Sequence, residues 1–518
     1  MGGRLKRWQE PFTLSLAAAG LVLLVAPPLI AVTGEVISSA SQAFAAVAQP
    51  RLMGLLLQSL ALATAVTAIA VAVGVPLGLL LAQARPRFCV GLLFLHSLPL
   101  FLPPFLTALA LFHLFGRTGW VGSQITSAWL FSPAGTIIVL ALCFTPVVTN
   151  LTWLGVRTLD ATLVEAARTA AGPWQTAREV VLPQAAPAIA LAAIIVFALT
   201  LAEIAVPMFL RVDVYASAVF ARLGGFDFAP GEAAALTAPL VLITVLLWAL
   251  ERKSRAHRVV ALPRTGGGHS PSLPAPQVLI ARVAGVIAAA LGVLPVLVLA
   301  VVAVRGTTVS ELLAWVGTAP RASLGLASTV ATCVLALASV LALAVRDRPR
   351  LGTWIDGAAW LGFLIPPAVL AIGTMVVWNR PSTQWLYGSP AILVLVLAAR
   401  YAALGHRTVL AGVRSLAPSY GEAARTSGAS YWRALRGVHW PLLLPSLVGS
   451  WLLVFAFCLR DIETAALLYP PGSEPLTVRL FTLDANGPPA VVAGLAVVQA
   501  LLTVVPLALA MLIWSARR

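Results

Sequence analysis

Three acids and an arginine stand inside runs where a bilayer core would hold apolar side chains. Glu203 lies in LTLAEIAVP (199–207), and Arg460, Asp461 and Glu463 lie in FCLRDIETA (457–465). Setting Pro183 on Pro441 superposes the two stretches and puts Glu203 opposite Asp461. Ionisable groups within spans are costly, and they face a polar path or one another. Lining the outer part of a route, these side chains would favour a cation. The competing explanation is that Arg460 pairs with the acids, which merely end their helices near water. Both acids lie about sixteen to twenty residues beyond the loop proline, roughly 24–30 Å along a helix, which places them towards the outer mouth.

Covalent chemistry has no candidate residues. His96, His113, His257, His269, His406 and His439 are dispersed. Cys89, Cys143, Cys333 and Cys458 sit singly in or beside apolar runs with no metal spacing, which suits packing. Neither Lys6 nor Lys253 belongs to a GxxxxGK[ST] loop, so the chain cannot cradle ATP itself. No cofactor or metal is expected in it, and any energy must come from a partner or an ion gradient.

The most polar feature occurs twice. Residues 155–169 read GVRTLDATLVEAART and residues 412–426 read GVRSLAPSYGEAART, sharing about nine of fifteen positions without a gap. In the first copy Asp160 suits a helix N-cap and Gly172-Pro173 a stop. In the second, Ser415 or Ser419 suits the cap, Pro418 the first turn and Gly428 the stop. Alanines beside each glutamate (Ala166, Ala167; Ala423, Ala424) leave room for another protein to approach closely.

The elements that position these residues are membrane helices. The chain has 518 residues, 60% hydrophobic and 10% charged, against about 25% charged in soluble domains. Apolar runs at 12–33, 54–83, 91–115, 134–154, 187–210 and 233–250, then 278–304, 323–345, 355–378, 391–413, 446–468 and 490–514, each suit a bilayer core of about 30 Å. Only helices satisfy the backbone in runs of that length. This predicts an all-α membrane protein of about twelve spans, in two pseudo-symmetric six-helix halves, 1–255 and 278–518, with a Pro/Gly/Ser-rich cytoplasmic linker at 256–277. The first run is too long for the apolar part of a signal peptide and counts as a span. Pro103-Pro104 and Pro366-Pro367 interrupt the third and ninth spans at matching places and predict paired kinks. Gln58-Ser59-Leu60 and Ala322-Ser323-Leu324 open the second and eighth.

The net charge of +16 does not point to nucleic acid, because the basic residues fall in short loops. With both termini in the cytoplasm, about 25 of the 34 Lys and Arg lie inside, counting Arg400 and Arg407 with the inner segments. Both polar repeats then face the cytoplasm. The outer loops 211–232 and 469–489 are the longest on their side.

Glu-Ala-Ala, three residues, Gly, and then an I-x-L-P turn resembles the cytoplasmic loop of permease subunits of binding-protein-dependent ABC importers. Glu422-Ala423-Ala424, Gly428 and Val438-His439-Trp440-Pro441 fit its spacing. The first copy departs from it, with Gly172 one residue late and Pro183 one early. The two-half layout is similar to fused permeases of the iron(III) type. The resemblance implies a coupling helix in each half, built on Glu165, Ala166, Ala167 and Gly172 and on Glu422, Ala423, Ala424 and Gly428. It implies two copies of a separate ATPase holding ATP and Mg²⁺, a periplasmic solute-binding protein on the outer loops, and a place in a bacterial inner membrane. It also implies ferric iron as cargo, a hard ion that prefers oxygen ligands, with phosphonate, polyamine, thiamine or an oxyanion as alternatives. An ion-coupled secondary transporter is the rival from another class; its coupling acids would lie near the midplane.

Overall fold

The computed structural model describes residues 20–22, 24–38, 49–83, 86–224, 230–255, 275–346 and 348–516. Among them there are helices and no strand. Ten helices are long and apolar enough to cross a bilayer, and the pair at 350–378 makes an eleventh. The remaining expected span, the third, is present as the pieces Pro86–His96, Leu98–Phe101 and Pro104–Phe115. Of the first span only 20–22 and 24–33 lie within the described residues, and most of the 256–277 linker lies outside them. The span after it is helical from Ala275.

The twin prolines do more than kink their spans. Leu102 is extended (φ −95°, ψ 154°), as a residue before proline must be, and Pro103 follows it at φ −54°, ψ 128°. Pro104 then opens a new helix, where a missing N–H costs nothing. Ile365 and Pro366 repeat this geometry before Pro367 (ψ 132° and 140°), and there the two pieces meet at 101°.

Each half has a three-helix core of the same composition. Pro50–Ala82, Pro133–Arg157 and Leu182–Ala202 pack together, as do Ala319–Val345, Ala391–Ser415 and Trp440–Leu459. Lipid offers no hydrophobic drive for this, so contact depends on small residues that let backbones approach. A Cβ on Gly78 would lie 2.7 Å from the Thr149 carbonyl oxygen, and one on Gly405 would lie 2.4 Å from Val334. The opening spans cross over. Ala275–Gly306, from the second half, packs on Pro86–His96 and Pro104–Phe115 of the first. Reciprocally, Gly373 abuts the Pro28 carbonyl of the first span. A charged clasp joins the halves elsewhere: Arg407 bonds Asp356 (2.9 Å) and Glu251 (3.0 Å) and lies over the Trp360 ring.

Among the described residues, the two loops expected on the outer side contain helices. Tyr215–Gly224 and Leu476–Asp484 are helices folded back onto the bundle, with Tyr215 and Leu476 fully buried. Ser59 Oγ accepts from the Tyr215 N–H (2.8 Å) and Ser323 Oγ from the Leu476 N–H (2.7 Å). This is the reason for the matched serines in the sequence repeat.

Gly292 tests the crossover. A Cβ there would sit 2.3 Å from the Leu95 carbonyl oxygen, so Gly292→Leu should destabilise the protein by about 1–3 kcal/mol through overpacking. The melting temperature in detergent measures this. Gly325→Ala, with nothing within 4 Å, should leave it unchanged.

Candidate functional site: two exposed levers and a buried charged chamber

The polar repeats form the helices Ala161–Ala170 and Pro418–Thr426. Asp160 caps the first, accepting from the Thr162 hydroxyl (2.8 Å) and N–H (3.0 Å). Those bonds hold its carboxyl below the usual carboxylate range. The cap is therefore complete at neutral pH and is lost as pH falls through that lowered value. In the second copy neither Ser415 nor Ser419 is the cap. Ser415 still belongs to the preceding helix, and its hydroxyl donates to the Gly412 carbonyl. Gly428 adopts φ +75°, and the Ala429 N–H returns to the Ala424 carbonyl (3.0 Å), a Schellman ending that needs glycine. The first copy ends without one. Ala171 is extended, and Gly172, one residue later, precedes Pro173 as the cap of the next short helix.

Glu165, Ala166, Gly172, Glu422, Ala423 and Gly428 are exposed, and Ala167 is half-buried. Ala424 is buried against its own chain, so it seats the helix rather than offering a contact. Leu163 and Trp174 add exposed apolar surface beside the first copy, and Tyr420 and Trp440 beside the second.

Each polar helix leads into a long rod. Pro173–Ala202 is a 30-residue helix, and 431–459 is its counterpart. Both contain a π turn at the same repeat position, Ala177–Val181 and Leu435–His439, just before Pro183 and Pro441. The Leu182 N–H reaches back to the Ala177 carbonyl, and the widened turn lets the proline ring sit in a continuing helix.

The rods end at the acids. Glu203 and Asp461 stand at the break before the next helix, and each accepts from its opening turn: Glu203 Oε1 from the Val206 N–H (3.3 Å) and Asp461 Oδ1 from the Thr464 N–H (2.9 Å). Glu203, Arg460, Asp461 and Glu463 meet around one cavity between the halves, joined by Arg400 and Tyr401. Asp461 is paired with Arg400 (3.4 Å) and receives the Tyr401 hydroxyl (2.6 Å). Arg460 takes another partner. Its guanidinium donates to the Leu100 carbonyl of the first half and lies over the Phe144 and Phe457 rings. In an unbroken helix that carbonyl would accept from residue 104, but Pro104 has no N–H. The cavity has room for about one water molecule, so the two halves are closed around it. Among the described residues no group of three or more His, Cys, Asp or Glu is placed to hold a metal ion.

One sequence expectation needs correction. Arg400 and Arg407 belong to the span Ala391–Ser415 and not to an inner segment. Arg400 stands nine residues from the Ala391 end of that helix, about 14 Å, and fifteen from the Ser415 end. Arg400 and Tyr401 were not singled out, although aligning 396–414 with 139–157 sets them on Cys143 and Phe144 and exposes a charge within a span.

Residues 74–256 and 334–517 each match the family described as binding-protein-dependent transport system inner membrane component. The chain belongs to that family and carries its domain twice. A protein of Salmonella paratyphi A named as a 2-aminoethylphosphonate transport system permease, PhnV, is 27% identical over 163 residues, covering 31% of this chain and 61% of PhnV. A Haemophilus influenzae protein named as a ferric transport system permease, FbpB 1, is 22% identical over 435 residues, 77% of this chain and 67% of its own length. The molybdenum transport system permease protein ModB of Mycobacterium bovis is 31% identical over 191 residues, 36% of this chain and 71% of ModB. The chain thus spans under two thirds of the length of its phosphonate relatives and follows the ferric relative through both halves.

The ion pair can be isolated from the charge. Arg400→Met leaves the Asp461 carboxylate, 1% exposed, without its cation and should cost about 3–5 kcal/mol. Adding Asp461→Asn should return most of that, read as melting temperatures. A double variant no more stable than the single would mean that Arg400 matters for packing alone.

Proposed function

We propose that the chain is the permease of an ATP-driven importer in a bacterial inner membrane, with both termini in the cytoplasm. Two copies of a separate ATPase, which bind the ATP and Mg²⁺, grip the polar helices at Glu165, Ala166 and Gly172 and at Glu422, Ala423 and Gly428. Ala167 and Ala424 set how deeply those helices sit. A periplasmic binding protein delivers the solute at the outer face. The observation that carries this reading is the continuity of each rod, from an exposed Glu-Ala-Ala helix to Glu203 or Asp461. A lever with a polar handle at one end and a route-lining acid at the other converts closure of two ATPases into rocking of two halves.

The cargo we infer is ferric iron. The relative named for ferric transport aligns through 77% of the chain. Glu203, Asp461 and Glu463 outnumber Arg400 and Arg460 around the chamber by one formal charge, which favours a cation passing without being chelated. The second reading is 2-aminoethylphosphonate, whose opposite charges would suit a chamber carrying both signs.

Glu165→Arg with Glu422→Arg should release the ATPase in a pull-down while the permease remains folded. In vesicles holding permease, ATPase and binding protein, radiolabelled ferric iron and 2-aminoethylphosphonate should be tested side by side. Ferric uptake should require ATP and fall about tenfold or more in Glu203→Gln with Asp461→Asn, as for lost electrostatic stabilisation of a passing ion. Undiminished uptake at normal expression would sink the role of these acids, and uptake of the phosphonate alone would reassign the cargo.

A further inference from the structure

Beyond the charged chamber lies a second, apolar cavity, and its walls come from the two halves in matched pairs. Ile204 faces it with Ile462, Met208 with Ala466, and Phe220 with Phe481. Each pair occupies one position of the internal repeat. The isoleucines directly follow Glu203 and Asp461, and each phenylalanine stands five residues into its folded-back helix, Tyr215–Gly224 or Leu476–Asp484. Equivalent residues of two pseudo-symmetric halves meet on the axis relating them, which is where a central route must run. The cavity shares Ile462 and Glu463 with the charged chamber, so the two adjoin.

The phenylalanines reach this position because their helices dip into the bundle, and each helix is tied at its start. Ser59 holds the Tyr215 N–H and Ser323 the Leu476 N–H, at 2.8 Å and 2.7 Å. Each tie is one neutral hydrogen bond, which a conformational cycle can break and remake. Phe481 is further seated edge-on against Phe105, at 5.6 Å.

We propose that Phe220 and Phe481 are the outer gate of the route, an apolar constriction kept shut by the Ser59 and Ser323 ties. Such a constriction excludes ions by dewetting and needs no charge of its own. Outward opening then means that the two folded-back helices lift together, parting the phenylalanines and uncovering Glu203, Asp461 and Glu463 to the outer side. The gate rests on the chamber being part of a route, but its test needs neither the ATPase nor a known cargo.

The full chain is reconstituted into K⁺-loaded vesicles and K⁺ efflux is followed with an electrode. The wild type should hold K⁺, and Phe220→Ala with Phe481→Ala should leak about tenfold faster or more, as expected for a wetted constriction. Phe220→Leu with Phe481→Leu, which keeps the seal apolar, should stay tight, and Ser59→Ala with Ser323→Ala should leak at an intermediate rate. A monodisperse alanine pair as tight as wild type would overturn the gate. A leucine pair leaking as fast as the alanine pair would also overturn it, because the leak would then report general loosening. A serine pair that holds K⁺ would remove the ties from the proposal. A wild type that binds no ATPase and takes up no ferric iron would count against the proposed function and leave the leak result standing.

Discussion

A helix that breaks inside a bilayer frees backbone groups that no water can satisfy, and this chain breaks its helices at four matched places. Two breaks are made by Pro103-Pro104 and Pro366-Pro367, and two by Glu203 and Asp461 at the ends of the rods. The freed groups are answered by the residues that give the chamber its chemistry. Glu203 and Asp461 take N–H groups three residues ahead of them, and Arg460 takes the carbonyl that Pro104 leaves open. The charges were therefore not added to a finished bundle. Glu203, Asp461 and Arg460 each replace a lost rung of the helix ladder, and the replacements converge where the halves meet.

That arrangement gives the rods their mechanical meaning. A helix of 30 residues spans about 45 Å, and in each half one such rod connects the exposed Glu-Ala-Ala helix to the break. The π turn before Pro183 or Pro441 absorbs the proline without ending the helix, so the rod runs on from the polar end to the acid. The capping differs between copies, with a glycine at φ +75° in one and an extended alanine in the other. The π turns keep register with the loop prolines all the same, and the one-residue difference is spent between the glutamate and the π turn.

Much of this was legible in the sequence where local chemistry decides structure. Asp160 as a cap, Pro418 in a first turn, Gly428 as a stop and the paired proline breaks are short-range consequences of residue type. Ser415 is no cap because the preceding helix runs two residues beyond its apolar stretch, and no local signal marks that. The folded-back outer helices depend on contacts made about 150 residues away in sequence. Only the repeated serines at 59 and 323 hinted at them, and a hydroxyl in a span has many ordinary partners, most often the carbonyl four residues earlier in its own helix.

The chamber is asymmetric in a way that a fused chain permits. Arg400, Arg407 and Arg460 all belong to the second half, and their counterparts in the first are Cys143, Asn150 and Ala202. Asn150 bonds Ser97 where Arg407 covers Trp360, so one pair of positions makes a neutral contact in one half and a charged one in the other. In a dimer of identical halves every arginine at the axis would face a copy of itself, with like charges close together in a poorly solvated interior. Joining the halves lets one supply the acid at 203 and the open carbonyl at 100 while the other supplies the cations. Arg460 reaches across to the first half, and Glu251 of the first half meets Arg407 of the second. Opposite charges on opposite halves also bind them to each other, so the asymmetry that shapes the chamber helps to hold the two halves together.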